Sequence, residues 1–229
     1  MKILLNYKSI IIALFVAIGF LSCKKDSSSQ LINLSGLSVV NASPSKENLE
    51  VYVDNTKVTG SDFTFGSKID YLTAYSGRRI VTVKQKGADK TLITEPFILD
   101  PQYGYSLFIV DRFPDVKLML LPGNLTKPPK GKASVRFANL SPDSDPLTLS
   151  VEGNPALITN IAFKNYSNAI FIDYGNSITF QVREHSTARL VASLPDIKVE
   201  EGKIYTIYVN GLKSATDETK LGAAIYTHK

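Results

Sequence analysis

The tetrapeptide Asn41-Ala42-Ser43-Pro44 returns ninety-eight residues later as Asn139-Leu140-Ser141-Pro142, and the same displacement superposes Leu49 on Leu147, Val53 on Val151, Phe65 on Phe163, Gly77 on Gly175, Ile80 on Ile178 and Gly104 on Gly202. A chain that carries one unit twice must solve the same burial problem twice, within about a hundred residues each time. The local pattern says how. After each Ser-Pro turn the residues alternate, Leu49, Val51 and Val53 against Glu50, Tyr52 and Asp54, then Leu147, Leu149 and Val151 against Thr148, Ser150 and Glu152. Period two is a strand with one face buried. Asp54-Asn55 and Glu152-Gly153-Asn154 follow as hairpin turns, because Asn and Gly accept the positive φ that such turns need.

The rest of each unit reads alike. Ile80 to Lys84 runs through a polar tip at Lys86 to Lys90 and returns as Thr91 to Ile93; Ile178 to Val182, a tip around Glu184 to Thr187, and Leu190-Val191 repeat it. Tyr105 to Val110 and Tyr205 to Val209 come later, then closing strands near Lys117 to Leu120 and Gly222 to Tyr226. No window of a dozen residues carries a 3.6-residue period. Eleven Tyr, eleven Phe, eleven Pro and fourteen Gly with no Trp fit strands and turns, and short strands at this spacing predict an all-β chain of two tandem immunoglobulin-like β-sandwich domains. The expected limits are 33–122 and 133–229. The Pro-rich stretch 123–132, containing Pro128-Pro129, reads as a semi-rigid hinge between them.

The N-terminus reads as a targeting device. Lys2 and Lys8 precede an apolar run from Ile10 to Leu21, which suits a signal peptide and is too short to span a bilayer as a helix. It ends in Leu21-Ser22-Cys23, which resembles the lipobox of bacterial lipoproteins. Residues 1–22 are then the lipoprotein signal peptide, Cys23 the lipid-attachment residue, and 23–32 a flexible tether. Several acyl chains on one residue anchor firmly, since each buried CH₂ contributes about 0.8 kcal/mol. Lys24-Lys25-Asp26 after the Cys resembles the export signal of surface lipoproteins in Bacteroidota, so the expected location is the outer membrane, lipid-anchored and exposed at the cell surface, with a periplasm-facing lipoprotein as the alternative. Removing the signal takes two lysines and no acid, so a formal charge of +5 falls to +3.

One cysteine in the whole chain excludes an intrachain disulfide, thiolate zinc and Cys-nucleophile chemistry. The lysines are dispersed, with no basic stripe carrying interleaved aromatics, and nucleic acid is not expected as a partner. Tyr105 and Tyr205 resemble tyrosine corners, whose hydroxyl bonds backbone upstream. Phe65 and Phe163 read as core plugs. Tyr52, Tyr166 and Tyr174 are the candidate aromatic platforms for a glycan. Glu184, His185 and Ser186 are chain neighbours that point to alternate faces of a strand and form no relay. Asp100, Asp111 and Asp115 are acids whose convergence local pattern does not exclude. Asp143-Ser144-Asp145 is the best oxygen-rich cluster, but Ser45-Lys46-Glu47 stands in its place in the first unit, which argues against a shared calcium site. No catalytic, cofactor or metal residue is assigned.

The Asn-x-Ser-Pro opening, Leu49 to Asn55, Phe65-Gly66, Tyr71-Leu72 and Gly77 together resemble the domain of unknown function family 4397, over about 33–229. The second unit departs from it at Lys164 and Ala169, where the first has Gly66 and Tyr71. The resemblance implies sandwich modules in tandem in Bacteroidota lipoproteins, a cell-envelope location and no established activity. Its motifs are turns and core positions, so no site residue follows from it. The expected function is a non-enzymatic, lipid-anchored binding or spacer module toward a surface protein or glycan, joined to the membrane through acyl chains on Cys23. The alternatives are a subunit of a larger surface assembly joined by strand addition and, third, a hydrolase acting on envelope polymer.

Overall fold

The computed structural model describes residues 33–88, 90–123 and 126–228, and residues 32–229 form one compact unit. The first repeat contributes β1 (Leu34–Asn41), β2 (Leu49–Val53), β3 (Thr56–Lys57), β4 (Lys68–Tyr75), β5 (Gly77–Gln85), β6 (Thr91–Leu99), β7 (Gly104–Val110) and β8 (Lys117–Gly123). The second contributes β9 (Lys132–Asn139), β10 (Leu147–Val151), β11 (Ala156–Ile161), β12 (Asn165–Tyr166), β13 (Ile170–Asp173), β14 (Gly175–Glu184), β15 (Leu190–Val199), β16 (Ile204–Asn210) and β17 (Gly222–His228). Among the described residues all regular structure is β, in two sandwiches.

The two share one strand order. In the first sandwich β4-β1-β7-β8 faces β3-β2-β5-β6; in the second, β12 and β13 pair with β9 in a sheet continuing β9-β16-β17, which faces β11-β10-β14-β15. The central pair of one sheet in each, β1 with β7 and β9 with β16, is parallel. Antibody domains place their first two strands in the same sheet. Here β1 and β2 lie in opposite sheets, so the architecture is that of a sandwich with its own connectivity.

The repeat's displacement is not constant. Gly77 and Gly175 hold matching places against Leu99 and Val199, while Val81 matches Phe180 opposite Val53 and Val151. The displacement is thus ninety-eight at the glycines, ninety-nine at Phe180 and one hundred from Val199 onward. Irregularities in the β14–β15 ladder between Gly175 and Phe180, which the β5–β6 ladder lacks, absorb the two added residues, as bulges do. Gly104 consequently matches Ile204, and Tyr105 matches Tyr205.

Asn-x-Ser-Pro is a structural motif. Asn41 and Asn139 end β1 and β9 and are wholly buried. Asn41 Nδ2 donates to the Phe63 carbonyl at 3.0 Å and its Oδ1 accepts from Ser43 N–H at 3.2 Å; Asn139 does the same toward Ile161 and Ser141, at 3.1 Å each. The side chain folds the turn and ties it across the sandwich. Replacing either Asn by Ala strands a buried donor and a buried acceptor, and should lower unfolding stability by about 2 kcal/mol per site in urea titrations.

Each sandwich is filled from both sheets, the first by residues such as Leu37, Val51, Val83 and Leu107, the second by Val135, Leu149, Phe180 and Ile207. Phe63 fills the first core, while Phe65 and Phe163 are only half buried. The plug expected at Phe65 sits two residues earlier, at Phe63 in the loop between β3 and β4. The tyrosine corners form as expected: the Tyr105 and Tyr205 hydroxyls accept from Asp100 and Glu200 N–H, both at 2.9 Å.

A third core lies between the sandwiches. Val40, Phe108, Val110, Met119 and Leu121 of the first pack on Ala138, Leu140, Tyr208 and Tyr226 of the second. Every residue of β7 is buried, as is all of β9 after Lys132. These strands pack inward on their own sandwich and outward on the other. Because Phe108 matches Tyr208 and Val40 matches Ala138, the seam apposes the same face of both repeats, the intrachain counterpart of an isologous contact. Exposed ion pairs flank it, Lys46 to Asp217 and Glu218 at 3.2 Å and Arg112 to Asp143 at 3.6 Å.

Candidate binding cleft

The seam is apolar at one end and polar at the other. At the polar end the symmetry of the repeats breaks. Ser38 and Arg136 occupy matched places beside Ser106 and Thr206, so a small hydroxyl in one repeat corresponds to a cation in the other. Arg136 is only 6% exposed. Its Nε donates to Thr206 Oγ1 at 2.7 Å and its Nη1 to the Pro122 carbonyl of the first sandwich at 2.6 Å. Nη2 is buried and has no hydrogen-bond partner, and no carboxylate pairs with Arg136 among the described residues. A buried guanidinium held only by neutral acceptors is costly, since desolvating a charge is normally offset by a counterion.

The neighbours form a relay of hydrogen bonds. Thr206 Oγ1, already accepting from Arg136 Nε, lies 2.8 Å from His228 Nε2. His228 Nδ1 in turn shares a hydrogen bond with the Tyr71 hydroxyl at 2.7 Å. Both ring nitrogens are thus engaged by hydroxyls, each able to donate or accept. Tyr71 reaches this position because Gly36 lies beneath its ring, where a Cβ would meet Tyr71 Cδ1 at 2.8 Å. Ser106 and Tyr226 complete the cluster through a hydroxyl–hydroxyl bond, and Lys68 Nζ stands 5.3 Å over the Tyr226 ring. Burial, then the charges of Arg136 and Lys68, push the His228 pKa down to about 3. At neutral pH His228 is uncharged, so the net charge of this interior belongs to Arg136.

The cluster opens to solvent through a cleft of about 690 Å³, lined by Tyr103, Pro122 and Gly123 from the first sandwich and by Arg136, the segment Tyr166 to Ala169, Ile204 and His228 from the second. Tyr103 and Tyr166 are 50% and 41% exposed. No acidic side chain lines the cleft among the described residues. One buried cation with two half-exposed aromatic rings at the rim suits a ligand that has an anionic group and an apolar face.

The other residues singled out in the sequence lie elsewhere. Cys23, the lipid-attachment residue, is outside the described residues. Glu184 is buried under Arg189, Lys213 and Thr187, whose hydrogen bonds, Arg189's foremost, hold its carboxyl far below the usual range. His185 is exposed and meets Thr148 Oγ1 at 3.2 Å. The two point apart, as expected for strand neighbours. Asp100 binds the Tyr105 corner at one end of β7 and Asp111 lies past the other end, separated by seven residues at about 3.3 Å each, so these acids do not converge. Asp143 accepts from Lys213 N–H at 2.7 Å, Ser214 N–H at 3.1 Å and Ser214 Oγ at 2.8 Å, and Asp145 pairs with Lys213 Nζ at 2.6 Å. Their oxygens are engaged by protein donors. Tyr52 lies beneath Lys84 on the outer sheet and Tyr174 at a strand end, and of the three candidate platforms only Tyr166 reaches the cleft. Sequence reasoning missed Tyr103 and Arg136, and it gave His228, one of the two histidines weighed for catalysis, no role. A charged residue inside an otherwise apolar strand, Val135-Arg136-Phe137, was the one available signal.

A family model described as "Domain of unknown function (DUF4397)" matches residues 35–150, which take in the first sandwich and the second as far as β10. No curated protein matches the chain. Among solved structures, a carbohydrate-binding module of Eubacterium rectale Amy13K, in complex with maltoheptaose, overlaps with 9% identity over 85% of this chain and 97% of that one, at a TM-score of 0.29. An α-glucan-binding streptococcal virulence factor overlaps with 11% identity over 82% and 96%, at 0.27. The fimbrial anchor protein Mfa2 from Porphyromonas gingivalis does so with 9% identity over 85% and 97%, at 0.24. Overlaps at these scores identify neither a ligand nor a partner for this chain.

Proposed function

The chain belongs to the DUF4397 family, and from that premise we propose that it is a non-enzymatic binding module of the cell envelope, anchored at the outer membrane through acyl chains on Cys23, which takes a glycan in the cleft at the seam. The observation that carries this reading is Arg136, a buried cation with a covered, unpartnered nitrogen on a side chain that lines a solvent-open cleft. Its bonds to Thr206 and Pro122 tie the seam, but an apolar residue of similar size would fill the place without the desolvation cost of an unpaired charge. Exposed rings beside it supply the flat apolar surface that sugar rings stack on. A glycosidase places two carboxylates about 5 to 10 Å apart across the bond it breaks, and the described walls here carry none.

Location and anchoring are tested together on intact cells. External protease should remove the protein while a periplasmic control survives, and the Cys23→Ala variant should leave the membrane fraction. Protection of the native chain until the outer membrane is opened would overturn surface exposure; retention of Cys23→Ala in the membrane would overturn lipid anchoring.

A further inference from the structure

We infer that the cleft recognises an acidic saccharide through its carboxylate, with Arg136 as the charge-reading residue and Tyr103 and Tyr166 as the rings against which the sugar lies; this rests on the reading of the cleft as a binding site. The guanidinium is oriented before any ligand arrives. Its Nε and one Nη1 hydrogen are fixed by Thr206 and by the Pro122 carbonyl, so the guanidinium is oriented without any ordering of the side chain on binding, with its second Nη1 hydrogen and the covered Nη2 still to be satisfied. Preorganised donors retain more of their hydrogen-bond energy than mobile ones. A carboxylate is the acceptor that a planar guanidinium matches best. It would supply the negative charge that the guanidinium lacks.

The surroundings select among anions. His228, the other basic group among the described cleft residues, has both ring nitrogens engaged, by Tyr71 and Thr206, and burial with the charges of Arg136 and Lys68 keeps it neutral, so it adds no second charge. A single cation with neutral flanks suits one singly charged group, whereas a phosphate or a densely charged chain would need more positive side chains. Ser167 Oγ accepts from Phe137 N–H at 3.0 Å, which fixes the Tyr166 to Ala169 wall against β9. The two rim tyrosines come from different sandwiches, which places the proposed site across the seam and explains why it has no counterpart within either repeat. Its asymmetry follows from the Ser38 and Arg136 difference noted above.

The test uses the full-length protein in detergent micelles against galacturonate, glucuronate and mannuronate oligosaccharides, each beside its methyl ester, with binding read by calorimetry at two salt concentrations. Esterification keeps the sugar faces and removes the charge. At least one acid should bind with its ester weakened tenfold or more, and its affinity should fall with added salt while the ester's does not. Arg136→Gln should bring the acid down to the level of the ester. Tyr166→Ala, at an exposed site that leaves the fold intact, should weaken both. Equal binding of acid and ester, lost in Tyr166→Ala, would overturn the carboxylate reading and leave the cleft as a neutral-sugar site. Absence of saccharide binding, or binding indifferent to both substitutions, would overturn the site itself. Binding of acidic peptides with no saccharide binding would transfer the anion reading to proteins and overturn the saccharide.

Discussion

Phe108→Ala should destabilise the protein by about 4 kcal/mol, among the largest effects of any single truncation in the chain. Phe108 is wholly buried, yet it projects away from the core of its own sandwich. Its ring meets Tyr208 edge-on at 5.4 Å and Tyr226 at 6.4 Å. The cavity would therefore open at the seam, between two sandwiches whose own cores are untouched. Leu107→Ala is the informative comparison, because Leu107 faces the other way into the first core. Urea unfolding should show a comparable loss for both. Only Phe108→Ala should also uncouple the two halves, giving a separate early transition in fluorescence of the seam tyrosines. A single concerted transition in Phe108→Ala would mean that the seam contributes little to cooperativity.

Acidification should cost about 2 kcal/mol between pH 7.5 and 5 through one residue, His228. Its folded pKa of about 3 lies below the ordinary 6.5. The unfolded chain therefore binds a proton in this window that the folded one does not, and stability present above pH 6.5 is lost as pH falls toward the folded value. The groups facing His228 are Tyr71, Thr206, Tyr226, Arg136 and Lys68; the two cations among them oppose its protonation. His228→Gln keeps hydrogen-bonding capacity and removes the titration. Melting temperatures of the native chain should fall across this range while those of His228→Gln fall less, the difference being the histidine's share. Parallel curves would show that His228 titrates normally and is not enclosed.

Much of the fold was legible because the outer sheets obey a simple pattern. Leu49, Val51 and Val53 alternate with polar neighbours since β2 has one dry face and one wet face, and the same holds for β10 and its neighbours in sequence. The seam was illegible for the opposite reason. Strands β7 and β16 are buried on both faces, and a second buried face looks in sequence like more core or, where it carries Ser106 and Thr206, like a solvated side. Nothing local distinguishes a hydroxyl that faces water from one that faces another sandwich. The repeat itself was visible, but a gapless displacement aligned Gly104 with Gly202, because bulges in the β14–β15 hairpin leave no mark on composition. The cleft was least legible of all. Tyr103, Pro122, Arg136 and Tyr166 are scattered over more than sixty positions and belong to no motif.

The cleft exists only if the two sandwiches hold one fixed relation, and a distance measured between them tests this most directly. Spin labels at Thr94→Cys and Ser193→Cys, exposed positions on β6 and β15 in the outermost sheets, in a Cys23→Ala background, report that distance by double electron–electron resonance. A single distribution no wider than the labels' own rotamers allow, broadened by Phe108→Ala, is the predicted result. A broad distribution in the otherwise native chain, unchanged by Phe108→Ala, would mean that the sandwiches swing independently on the 123–132 segment and that no preformed cleft lies between them.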